Sequence, residues 1–135
     1  MEFTPDRAKV KELLAFLPGF TSPGRKFVLG DESTQSGDSS VFQIPHPVYP
    51  DDVIAFFMRI GMDPWFDPNY RMSQAELFAA EPDRIANASF AEVRALLNHC
   101  SRGERFCDGF WIKVLEDGVV QAALRRLETL ADQDL

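Results

Sequence analysis

Residues Ser89 to Trp111 read SFAEVRALLNHCSRGERFCDGFW, and the interpretation of this stretch decides the fold. Ser89 and Glu92 stand at the spacing where a hydroxyl and a carboxylate cap the first N–H groups of a helix reciprocally. Val93, Leu96, Leu97 and Cys100 then recur at i, i+3, i+4 and i+7, one apolar face of a helix. Gly103 ends the run as its C-terminal cap. Beyond it, Phe106, Phe110 and Trp111 supply the large apolar area that wedges a corner between two helices. Glu104, Arg105 and Asp108 are placed to pair or to cap helix ends around that corner. A short helix from about Asp108 to Asp117 follows, with Gly118 as its cap. A final helix runs from about Val119 to Ala131, with Val120, Leu124, Leu127 and Ala131 as its buried stripe.

Two chemical readings compete with this structural one. A zinc site needs paired cysteines two to four residues apart, or paired histidines at helical spacing. Cys100 and Cys107 are seven apart, and His99 and Cys100, adjacent on a helix, point about 100° apart. No metal site and no cofactor are expected. Thiolate catalysis would need Cys107 beside His46 or His99, with Arg105 lowering the thiol pKa. Free cysteine, however, is among the most buried residue types, and Cys100 completes an apolar stripe. No catalytic residue is assigned.

Outward from this corner, most of the chain is helical in pattern. Val10, Leu13, Leu14 and Leu17 share one face, opened at Thr4-Pro5 and stopped at Pro18-Gly19. Asp51–Ile60 carries Val53, Phe56, Phe57 and Ile60 on one face and ends at Gly61. Ser73 and Glu76 form a second capping signal, opening a helix that Pro82 closes. RKFVL and VFQI flank the polar loop GDESTQSGDSS, Gly30 to Ser40, and predict a small β-hairpin. IPHPVYP is expected to be extended. GMDPWFDPNYRM is an aromatic, proline-punctuated loop.

Composition bounds the class. The 135 residues are 45% apolar and 26% charged, the balance of an ordinary single globular domain. A chain of this length buries roughly two-thirds of its unfolded surface, so neither disulfide nor metal is required for folding. No apolar run reaches the roughly 20 residues that span a bilayer. The N-terminus lacks a basic start followed by an apolar block, so the cytoplasm, with reduced cysteines, is the expected setting. The net charge of −7 opposes nonspecific binding to a phosphate backbone.

The stretch ERFCDG, an apolar helix, a glycine and VVQAALRRLETL together resemble the C-terminal hallmark of a family of small bacterial proteins known only as a domain of unknown function. That hallmark is R-F-[S/C]-[D/E]-G, a short helix, a glycine, and a last helix with an L-x-R-L ending. LLAFLP is similar to the family's opening helix, and VYPDDVIAFFMRIGM to its central one. In that alignment Pro50 replaces a usual capping serine, so the cap is lost or supplied by Asp51. The family's tolerance of serine at the hallmark cysteine disfavours an essential thiol at Cys107. The resemblance implies no reaction, ligand or catalytic residue.

Two surface features remain. Trp65, Phe66 and Tyr70, with His46 and Tyr49, either line an aromatic groove or fold over one end of the core; burial is the preferred reading. Arg102, Arg105, Arg125 and Arg126 form either a cationic patch or a solvated helix face paired with Glu128 and Glu104; the solvated face is the preferred reading. No glycine-rich phosphate loop or hydrolase motif is present.

The sequence therefore predicts a mainly α domain of five or six helices spanning residues 1–135, with a small hairpin in its N-terminal third. The first functional expectation is an interaction or regulatory module, a homodimer among its forms, binding a protein or small ligand through His46, Tyr49, Trp65, Arg102, Arg105 and Asp108. The alternative is a small enzyme with a cleft between the proline–aromatic loops and the Arg102–Asp108 corner. Nucleic acid ranks third, and no membrane partner is expected. An enzyme predicts a deep pocket of converging polar groups. An interaction module predicts an exposed apolar patch.

Overall fold

The computed structural model describes residues 3–27, 49–70, 72–105, 107 and 109–134, apart from the side chains of 72–74 and 134. Its α-helices are α1 (Arg7–Leu14), α2 (Leu17–Phe20), α3 (Asp51–Ile60), α4 (Met72–Ala80), α5 (Phe90–Gly103), α6 (Phe110–Glu116) and α7 (Val119–Asp134). A 3-10 helix, Pro82–Asn87, lies between α4 and α5. None of these helices is long and apolar enough to cross a membrane.

Helix α5 is the organising element. The Ser89 hydroxyl accepts from the Glu92 N–H at 3.2 Å, and the Glu92 carboxylate accepts from the Ser89 N–H at 2.8 Å. Its apolar stripe, Val93, Leu96, Leu97 and Cys100, is buried. Packed against it are α3, α4, α6 and α7. Helix α7 lies across the other side of the core and touches α1, α2, α6 and the 3-10 helix. Its stripe of Val120, Leu124, Leu127 and Ala131 is buried as the spacing predicts. Helix α3 buries Val53, Phe56, Phe57 and Ile60. Pro50 is its N-cap and provides no side-chain bond; Asp51 and Asp52 occupy the first turn, where negative charge is favourable.

Several expectations need correction. Seven α-helices are present among the described residues, more than the five or six expected. Helix α1 ends at Leu14, short of Leu17, and Pro18-Gly19, expected to stop it, instead lie within α2, because a proline in the first turn forfeits no helical hydrogen bond. Helix α4 begins at Met72, so Ser73 stands inside it.

The β-hairpin is the main error, for no strand occurs among the described residues. Arg25–Phe27, the start of its expected first arm, is irregular chain held by side chains. The Arg25 guanidinium donates to both Asp52 carboxylate oxygens, at 2.9 and 2.6 Å, and to the Gly19 carbonyl at 3.1 Å. Phe27 packs edge-on against Phe20, centroids 5.9 Å apart. A strand-like composition was thus overridden by tertiary contacts, which dominate β preference in short segments. The remainder of the expected hairpin falls in residues 28–48, outside the described residues, as does His46.

Candidate functional site

The site is built at the C-terminal end of α5, where two features meet. The first is the loop after α3. Asn98 is buried on α5, and its amide clamps that loop. Nδ2 donates to the Trp65 and Arg94 carbonyls, both at 2.8 Å, while Oδ1 accepts from the Asp67 N–H at 3.0 Å. Arg94, one turn earlier, lies over the Phe3 ring at 3.9 Å and 3.6 Å from Asp67. These bonds lay residues 64–68 along α5.

The second feature is the corner between α5 and α6. Gly109, the N-cap of α6, has φ of 90°, a left-handed conformation that costs glycine little. It offers no capping side chain, and Glu104 takes over that task. The Glu104 carboxylate accepts from the Gly109 N–H at 3.1 Å, the Trp111 N–H at 2.9 Å and the Tyr49 hydroxyl at 2.7 Å. The Trp111 ring stacks on Phe57 at 4.4 Å, and its Nε1 donates to the Ser101 carbonyl at 3.0 Å. Gly103 passes so close to Phe110 that a Cβ there would lie 2.1 Å from the ring.

Between loop and corner opens a cleft of about 390 Å³. Ile60, Gly61, Phe66 and Pro68 form its apolar side; Asn98, Ser101, Arg102 and Arg105 form its polar side. Arg105 is exposed and Arg102 half-buried, its guanidinium 5.8 Å from the Tyr70 ring centroid. Among the described residues, neither has a carboxylate within ion-pair distance.

The six residues singled out from sequence are thus divided. Arg102 and Arg105 come together at the cleft. Tyr49 and Trp65 are buried in the core, Tyr49 tied to Glu104 and Trp65 edge-on to Phe3 at 5.9 Å. His46 and Asp108 lie outside the described residues. Arg125 and Arg126 line a different hollow with Pro82, Asp83, Ala86, Ala122 and Thr129, so the four arginines do not converge on one cleft.

The cysteine–histidine stretch separates as the spacing requires. Cys100 is fully buried, which pushes its thiol pKa up to about 12. His99 faces the other way, its ring between Tyr70 and Phe110 at 6.4 and 5.6 Å. Burial lowers the His99 pKa, and the Glu76 charge opposes that shift. Among the described residues no three histidine, cysteine or acidic side chains are grouped to hold a metal.

Sequence reasoning missed Asn98 as the clamp and Ile60 and Pro68 as cleft walls. The available signal for Asn98 was an amide interrupting the apolar run between Leu97 and Cys100. No curated protein and no solved structure matches this chain. A family model does match, over residues 5–133, and its family is described as one of unknown function, DUF6508. The chain belongs to that family.

Proposed function

We propose that the domain is a binding module whose working site is the Arg102–Arg105 cleft. The cleft takes the carboxylate or phosphate of a protein or small ligand, with an apolar group seated against Phe66 and Pro68. One observation carries this reading: two guanidiniums lie at a partly enclosed, half-apolar cleft with no acidic partner among the described residues. Arg25, Arg59, Arg84 and Arg94 each have such a partner. Guanidinium forks match carboxylate and phosphate oxygens bidentately, and low-dielectric walls strengthen the attraction.

Binding is the favoured reading because the described cleft-lining residues supply guanidiniums and apolar surface, which hold a ligand.

Saturation-transfer NMR with benzoate and phenyl phosphate tests the site. The expected result is binding of at least one probe in the weak range of a fragment. The signal should disappear in Arg102→Glu/Arg105→Glu at unchanged melting temperature. Undiminished binding by that variant, or no binding by the wild type, overturns the proposal.

A further inference from the structure

The apolar surface beside the cleft is concentrated. Of the five large hydrophobic side chains exposed among the described residues, four are Ile54, Met58, Met62 and Phe66, at 39, 59, 49 and 43%. They recur at every fourth position. Ile54 and Met58 lie one turn apart on α3, on the side away from its buried Val53, Phe56, Phe57 and Ile60. Beyond Gly61 the chain turns back on itself, and the Phe66 N–H donates to the Met62 carbonyl at 3.0 Å. Phe66 is at once the last member of this ridge and a wall of the cleft that holds Arg102 and Arg105.

The outer side of a surface helix ordinarily carries polar residues. Singly scattered hydrophobics need no explanation, but a row ending at a charged cleft does. Two methionines give the row an adaptable surface of the kind that accommodates partner side chains. Its two ends differ in chemistry, apolar along α3 and cationic at the cleft. An occupant must match both.

We propose that the ridge and cleft together dock an amphipathic, acidic helix of a protein partner. Apolar side chains of that helix lie against Ile54, Met58, Met62 and Phe66, over about three turns. A carboxylate at one end meets Arg102 and Arg105. This rests on the reading of the cleft as an anion site. Charge complementarity selects the partner: elsewhere a chain of net charge −7 repels an acidic segment, and these two guanidiniums are where it is held.

The test is panning of a displayed helical-peptide library against the wild-type chain, followed by affinity measurement on synthesised hits. Enriched peptides should carry apolar residues one turn apart and an acidic residue at one end. Met58→Asp and, separately, Arg102→Glu/Arg105→Glu should each weaken binding about tenfold or more. Replacing the peptide's terminal acid with lysine should restore affinity for the charge-reversed variant. Phenyl phosphate should bind Met58→Asp as it binds the wild type.

No enrichment, enriched peptides without acids, or binding insensitive to either variant overturns the inference. Sedimentation showing a dimer that Met58→Asp dissociates also overturns it, since a second copy then occupies the ridge. Arginine-dependent phenyl phosphate binding without peptide binding sinks the inference and leaves the cleft reading intact. Loss of phenyl phosphate binding in the wild type sinks the cleft reading itself.

Discussion

The two sides of the α5–α6 corner treat their polar side chains in opposite ways. On the inner side, the Glu104 carboxylate accepts from two backbone N–H groups and the Tyr49 hydroxyl. On the outer side, Arg102 and Arg105 stand beside a cleft with no carboxylate partner among the described residues. Glu104 and Arg105 are neighbours in sequence. A polar group whose bonds are all made inside the fold is structural, and its loss strands the groups that it served. A charged group that the fold leaves unpaired contributes little to stability and is available to a ligand.

Four variants test that contrast and the corner around it. The largest effect is expected from Glu104→Ala, which leaves Gly109 N–H and Trp111 N–H without their acceptor and removes the hydrogen bond from the Tyr49 hydroxyl. A cost of about 2–3 kcal/mol is expected in urea unfolding, from lost capping and charge-assisted hydrogen bonds. A cost below about 0.5 kcal/mol, the level of an unremarkable surface change, would erase the distinction between the two sides.

Gly103→Ala sharpens the comparison. Alanine is the better helix former by about 1 kcal/mol. The new methyl group, however, meets the Phe110 ring at 2.1 Å. Overpacking of this kind typically costs about 1–3 kcal/mol, so net destabilisation is expected. A raised melting temperature would show that the corner yields.

The next effect is pH-dependent. Burial holds the His99 pKa below its ordinary 6.5, with Glu76 pulling the other way. The unfolded chain therefore takes up the proton more readily than the folded one. Stability is full above pH 6.5 and falls as pH drops below it through the lowered folded value. Because the ring is only half-buried, less than about 1 kcal/mol is expected. His99→Gln should flatten the slope of unfolding free energy between pH 7.5 and 5.5. Asp52 does not confuse this window. Its hydrogen bonds to Arg25 lower its pKa from 3.8, so its contribution is lost only in stronger acid. An unchanged slope in the His99 variant would remove the imidazole as the cause.

The smallest stability effect is expected from Arg102→Ala/Arg105→Ala, within about 0.5 kcal/mol of wild type. Measured by the same urea unfolding, a loss comparable to that of Glu104→Ala would make these arginines structural.

Periodic elements were legible in the sequence because their burial is written locally. The face of α3, the capping box and stripe of α5 and the stripe of α7 all follow from spacing alone. The corner was legible in part: glutamate and glycine around a turn announce capping, but not that Glu104 also holds Tyr49, 55 positions away. The arginines were legible as cations, and a cleft between their corner and the proline–aromatic loops was the alternative reading; that Phe66 and Pro68 would wall it was not legible. That juxtaposition depends on Asn98 grasping the carbonyl of Trp65, 33 positions away. The hairpin was misread because RKFVL has strand-like composition, whereas Arg25 binds Asp52 and Gly19. Local pattern reports which side chains want burial. It does not report which distant backbone will satisfy a lone amide or guanidinium.

An amide-resolved NMR titration with phenyl phosphate, in wild type and Arg102→Glu/Arg105→Glu, is the most direct examination of the division at the corner. Perturbations are predicted at Gly61, Phe66, Ser101, Arg102 and Arg105 in the wild type and should be lost in the variant. Shifts centred on Arg125 and Arg126, or equal in both proteins, would contradict the assignment of Arg102 and Arg105 to a ligand.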